Sequence, residues 1–172
     1  MTADPRLAML ASYNQWMNRR VYDASATLTH DALVADRGAF FGSIHRSLDH
    51  ILWGDRVWLG RFVGTRHDVP AYGADAHDDF AALAREREDA DRDILGWAGA
   101  LPDAWLASTL EYRAASDGKL RRLPAWIAAT HLFQHSTHHR GQVTTLLSQM
   151  GHDIGSTDLP FMPVWSAPAA PR

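Results

Sequence analysis

The segment Thr130-His131-Leu132-Phe133-Gln134-His135-Ser136-Thr137-His138-His139-Arg140-Gly141-Gln142 places four of the chain's ten histidines within nine residues. Pro124 ahead of it and Gly151 behind it are start and stop signals for one long helix. Residues four apart on a helix lie on one face with Cβ atoms about 5–6 Å apart, so His135 and His139 can aim imidazole nitrogens at a common point. His131 and His139 are separated by roughly 12 Å along the axis. Zinc–nitrogen bonds are only about 2.0–2.1 Å, so the adjacent pair, not the outer pair, suits a single ion. The i+4 line His131, His135, His139 runs on into Val143, with Leu146 and Met150 close to the same side, so the histidines share a face with core positions.

That reading makes the segment one wall of a helical bundle, and the rest of the chain supplies the other walls. Asp4 before Pro5 is a helix start, followed by Leu7, Leu10, Asn14, Met17, Val21, Ala24 and Leu28 at alternating three and four spacing. Phe41, Ile44, Leu48, Ile51, Asp55, Trp58 and Phe62 repeat the pattern, with Gly60 and Gly64 near the helix end. A third amphipathic stretch over 78–100 carries Phe80, Leu83, Ile94, Leu95 and Trp97, and its charged run Arg85-Glu86-Arg87-Glu88-Asp89 reads as a solvated face. Between 101 and 123 the segment Ser108-Thr109-Leu110-Glu111-Tyr112 and the turn dipeptide Asp117-Gly118 predict a small hairpin or ordered loop. The expectation is an all-α four-helix bundle in one domain over 1–165, with a loose tail over 166–172.

Composition narrows the function classes. The formal net charge is -3 with both signs interleaved, which leaves no basic stripe for phosphates and argues against a nucleic-acid partner. No apolar run reaches the roughly 20 residues of a membrane span, and the first residues lack a signal-peptide pattern, so cytoplasmic residence is expected. With no cysteine, any metal must be held by imidazole, carboxylate, carbonyl or water.

A third ligand should come from another helix. In the second helix His50 lies beside buried Ile51, and His45, next to Ile44, competes with it. His131 and His45 read more readily as hydrogen-bonded core groups, and His138, turned about 100° from the pair, as a rim residue. Asp55 and Asn14 interrupt apolar stripes; either could orient a ligand imidazole or bound water, and Asp55 is the nearest candidate base, but a buried polar residue fixing helix register is the stronger reading for both.

His50 within Leu48-Asp49-His50-Ile51-Leu52-Trp53, and His135 and His139 followed by Arg140-Gly141-Gln142, resemble the DinB-like, damage-inducible bundle family, which has a histidine in its second helix and an HxxxH pair in its last. Tyr13-Asn14-Gln15-Trp16-Met17-Asn18 and Asp55-Arg56-Val57-Trp58-Leu59 are similar to stretches in one branch of it. The resemblance covers the first, second and last long helices. It implies an open divalent site formed by His50, His135 and His139, completed by water and usually filled by zinc or nickel, and often a homodimer. It also implies a small-molecule substrate, with a low-molecular-weight thiol as cosubstrate in relatives that act as transferases or as an isomerase.

Three imidazoles with an open position admit a thiol-dependent transferase, a metal-dependent hydrolase, or a non-enzymatic metal-binding protein of the stress response. A homodimer would also cover the aromatic and aliphatic residues Tyr13, Trp16, Tyr22, Phe40, Trp53 and Leu59, which stand beside or outside the core stripes.

Overall fold

In the computed structural model, residues 4–65 and 76–163 are described. The tail expected over 166–172, and the last residues of the expected domain, lie outside them. The elements run α1 (Pro5–Ser25), α2 (His30–Val34), α3 (Ile44–Val63), α4 (Phe80–Ala100), α5 (Asp103–Leu106), β1 (Thr109–Arg113), β2 (Leu120–Pro124) and α6 (Ala125–Gln149), with a 3-10 turn at Leu159–Phe161. The four long helices form the bundle: α1 and α3 each pack against both α4 and α6. No described helix is long and apolar enough to cross a membrane.

Helix ends follow local chemistry. The Asp4 carboxylate accepts from the Arg6 backbone N–H ahead of Pro5, and Ser43 accepts from that of Arg46. Gly64 ends α3 in the left-handed conformation at φ 72°. The segment between α5 and α6 is a hairpin, β1 antiparallel to β2 with Leu110 opposite Leu123, closed through Gly118 at φ 68°. Phe41 stands apart from the stripe predicted for α3. Gly42, at φ 77°, and the Ser43 cap start the helix only at Ile44, which leaves Phe41 in the preceding turn. The short α2, capped by Thr29, has no counterpart in the periodicity analysis.

The core is two apolar clusters with a polar layer between them. One cluster gathers Val21, Ile44, Leu48, Leu83, Val143 and Leu147; the other gathers Leu7, Ala11, Phe62, Ile94, Leu132 and Phe133. At the level separating them every long helix contributes a buried polar side chain: Asn14 and Asn18 from α1, Asp55 from α3, Arg87 and Asp91 from α4, Ser136 and Arg140 from α6. Arg87 Nη1 donates to Asp55 Oδ2 at 2.7 Å, and Ser136 Oγ donates to Asp55 Oδ1 at 2.6 Å. Arg87 Nη2 lies 2.9 Å from Asp91 Oδ1, which also accepts from Asn18 Nδ2 at 2.8 Å. Arg140 Nη1 donates to Asn18 Oδ1 at 3.0 Å and to Asn14 Oδ1. Burial alone would favour the neutral form of Arg87, but the carboxylates of Asp55 and Asp91 outweigh it and hold the guanidinium charged.

This layer corrects one expectation and explains two others. The run 85–89 is not wholly solvated: Arg87 turns inward and is 2% exposed, because Asp55 and Asp91 supply the carboxylates that a buried guanidinium requires. Asp55 and Asn14, the two interruptions in apolar stripes, are its acceptors. Tyr22 and Leu59 are also buried within the chain rather than left on its surface.

Removing one partner from such a layer leaves a buried charge without compensation. Asp55→Ala is therefore expected to lower the unfolding free energy by about 3–5 kcal/mol in chemical denaturation. A loss under about 1 kcal/mol would contradict the assigned role.

Candidate metal centre

α3 and α6 together carry the histidine cluster. His50 from α3 and His135 and His139 from α6 each offer one ligand atom, and these atoms lie within 4.8 Å of one another. His50 Nε2 and His135 Nε2 are 3.2 Å apart. Tetrahedral coordination with bonds of about 2.0–2.1 Å would separate two ligand nitrogens by roughly 3.4 Å, so this contact already has the required spacing. His135 Nδ1 is buried and has no hydrogen-bond partner among the described residues. By donor chemistry and spacing the three imidazoles could thus hold a metal ion.

Three local features aim these rings. Gly54 lies one turn after His50 on α3, and a Cβ there would come within 2.8 Å of His135 Cε1, so the missing side chain makes room for that ring. His139 Nδ1 is 2.9 Å from Gln142 Oε1, which can accept the Nδ1 proton and leave Nε2 available for ligation. Phe41 stacks on His50 with centroids 3.9 Å apart and meets His139 edge-on, fixing both rings from the turn before α3.

The environment keeps the cluster neutral. Burial, followed by the neighbouring rings of His139, His50, His131 and His138, lowers the His135 pKa to about 3. Burial and then His139 lower that of His50 to about 4, and burial also lowers that of His139. Neutral imidazoles are the form that ligates metal.

The other singled-out residues lie elsewhere. His45 is buried, with Nε2 2.7 Å from the His77 carbonyl oxygen, and stands outside the cluster. His131 packs edge-on against Trp58 at 4.9 Å and is also outside it. His138 is exposed on α6. Asp55 and Asn14 belong to the polar layer, where the Asp55 carboxylate serves Arg87 and Ser136. The sequence alone gives Gly54, Gln142 and Phe41 no role at the site, Phe41 reading as a core position; Gln142, three residues after His139, is the most accessible of them through its helical spacing.

The cluster opens into a cleft of about 480 Å³, within the usual range for small-molecule sites. Its walls include Trp53, Val57 and Trp58 from α3 and Tyr112, Ala114 and Ser116 from the hairpin, and no carboxylate lines it among the described residues.

A folded-state histidine pKa below its unfolded value makes the unfolded chain bind more protons, so stability falls as pH drops. In chelator-treated protein the histidine cluster should therefore weaken folding as pH falls from about 6.5 toward 4, and the His135 ring should remain neutral throughout that window by nuclear magnetic resonance. A His135 midpoint above pH 6 would contradict the assigned environment.

Comparison with known proteins places the chain in a family. Protein DinB of Bacillus subtilis (strain 168) is 26% identical over 156 residues, spanning 87% of this chain and 88% of that protein. A family model described as the DinB family matches residues 2–171, which include all three histidines of the cluster. The chain belongs to the DinB family.

Proposed function

We propose that this protein binds a divalent ion, zinc or nickel, through His50, His135 and His139, and acts on a small molecule by thiol-dependent transfer. The observation that carries the reading is the convergence of three imidazoles, with no carboxylate among them, at a cleft sized for a small molecule. A bound ion would lower the pKa of a thiol or water placed beside it.

Transfer is favoured over hydrolysis by what lines the cleft. A bound ion would ionise water as well, but hydrolysis also gains from a positioned acid or base that serves the leaving group, and Asp55, the nearest candidate in sequence, is committed to Arg87 and Ser136. A thiol is acidic enough to ionise with less assistance. In the proposed reaction the thiol releases its proton to solvent, its sulfur bonds to an electrophilic carbon of the second substrate, and the leaving group departs with the electron pair. Trp53, Val57 and Trp58 offer that substrate an apolar surface. A non-enzymatic role would not require a cleft at the histidines.

His50→Ala or His135→Ala should abolish stoichiometric metal binding by elemental analysis while preserving helical circular dichroism. Gly54→Ala should weaken binding by crowding His135. In cobalt-substituted protein, millimolar thiol or azide should change the visible spectrum, because an open position accepts them. Full metal occupancy in both histidine variants would refute the ligand assignment, and a spectrum indifferent to thiol and azide would favour a closed, structural ion.

Self-association is part of the same proposal. Phe40, 77% exposed, stands at the cleft mouth next to the ring that covers His50. Light scattering at micromolar concentration should give twice the 19.2 kDa chain mass, and a monomer throughout that range would reject a homodimer.

A further inference from the structure

Arg61 differs from the buried arginines of this fold in what it lacks. Arg87 faces two carboxylates, and Arg140 is held by the side-chain oxygens of Asn14, Asn18 and Thr137. Arg61 is half-buried in the wall of the cleft, and no carboxylate pairs with it among the described residues. Its one hydrogen bond there runs from Nη2 to the Arg113 carbonyl oxygen at 3.1 Å. Its guanidinium carbon lies 4.4 Å from the Trp58 ring centroid and 4.5 Å from that of Tyr112.

This arrangement fixes the guanidinium against aromatic rings while leaving most of its edge donors uncommitted. A guanidinium carries five N–H donors in a planar fork, matched to the two oxygens of a carboxylate. Contact with the rings also restricts the side chain, reducing the ordering needed when an anion arrives. The other arginine lining the cleft, Arg121, is already paired with Asp117 at 2.8 Å.

Arg61 shares α3 with His50. It lies eleven residues after His50 on α3, so the Cα atoms are separated by roughly 16 Å along the axis. Helical side chains lean toward the N-terminus, which directs Arg61 back toward the cluster. Between the two, Trp58 packs on His131, whose ring is 5.6 Å from that of His135. The cleft therefore has imidazoles at one end, an aromatic middle and an incompletely satisfied guanidinium at the other.

We infer that the cleft takes a small organic acid lengthwise, with its carboxylate on Arg61, its apolar body along Trp58 and Val57, and its reacting end at the histidines. This inference rests on the functional reading above for the reacting end; the carboxylate subsite stands on the geometry of Arg61 alone. The hairpin then has a defined role: Tyr112 and the Arg113 carbonyl hold the acid-binding side chain in place.

Mercapto acids of increasing chain length, from mercaptopropionate to mercaptooctanoate, test the inference when compared with mercapto alcohols of equal length. Calorimetric titration of the cobalt-loaded protein should show the best-matched acid binding roughly ten- to a hundredfold more tightly than its alcohol. Arg61→Gln should bring that ratio close to one, and Arg61→Lys, which keeps the charge but loses the fork, should give an intermediate ratio. Circular dichroism establishes that each variant is folded, and Arg61→Lys remains informative if Arg61→Gln is not. Equal affinity of acid and alcohol at every length, or a preference unchanged in the Arg61 variants, would overturn the inference. An Arg61-dependent acid preference without any thiol-induced change in the cobalt spectrum would uphold the subsite while rejecting the proposed chemistry at the histidines.

Discussion

The contact on which the site most depends is the hydrogen bond from Ser136 on α6 to Asp55 on α3, within the polar layer that crosses the bundle. Apolar helix faces can slide past one another at modest cost when the residues are of similar size, whereas a buried carboxylate must meet its partners or lose several kcal/mol. Asp55 therefore fixes α3 against α6, and its bond to Arg87 fixes α3 against α4. Asp91 and Arg140 extend the constraint to α1 through Asn18 and Asn14. The layer is a register device with a side chain from every long helix.

The histidine cluster inherits that register. Gly54 precedes Asp55 and His135 precedes Ser136, so the bond between Asp55 and Ser136 also sets the approach of the His135 ring to the Gly54 backbone. His50 lies about one turn earlier on α3, and His139, one turn later on α6, adjoins Arg140 of the layer. The polar residues thus organise the site without lining it. They place imidazoles from two helices within reach of one point, while Phe41 and Gln142 orient the rings from outside the layer.

Much of this was legible in the sequence because helical periodicity reports directly on buried faces. The long helices, the glycine and proline boundaries and the juxtaposition of His135 with His139 all follow from spacing. The identity of the third histidine was less determined. His50 and His45 both neighbour apolar α3 residues, and their separation depends on a rotation about the helix axis that spacing leaves open. The contact of His45 with the His77 carbonyl and the 3.2 Å approach of His50 to His135 distinguish them. Arg87 departs from the solvated face expected of a charged run because Asp55 and Asp91 pair with it inside the bundle. The line Leu83, Arg87, Asp91, Ile94 carries that charged pair on the inward face of α4. The contributions of Gly54, Phe41 and the hairpin arise from tertiary packing between segments distant in sequence.

This register brings His50, His135 and His139 together, where they are proposed as the ligands of one divalent ion. X-ray absorption spectroscopy of the nickel- or zinc-loaded protein, with each histidine replaced in turn by alanine, tests that assignment most directly. Three imidazole nitrogens at about 2.0–2.1 Å are expected in the zinc form, with light oxygen scatterers completing the shell. Replacement of His50, His135 or His139 should remove one imidazole contribution or the ion altogether, and replacement of His45 or His131 should remove none. Loss of an imidazole contribution in the His45 or His131 variant, with the His50 variant unchanged, would contradict it.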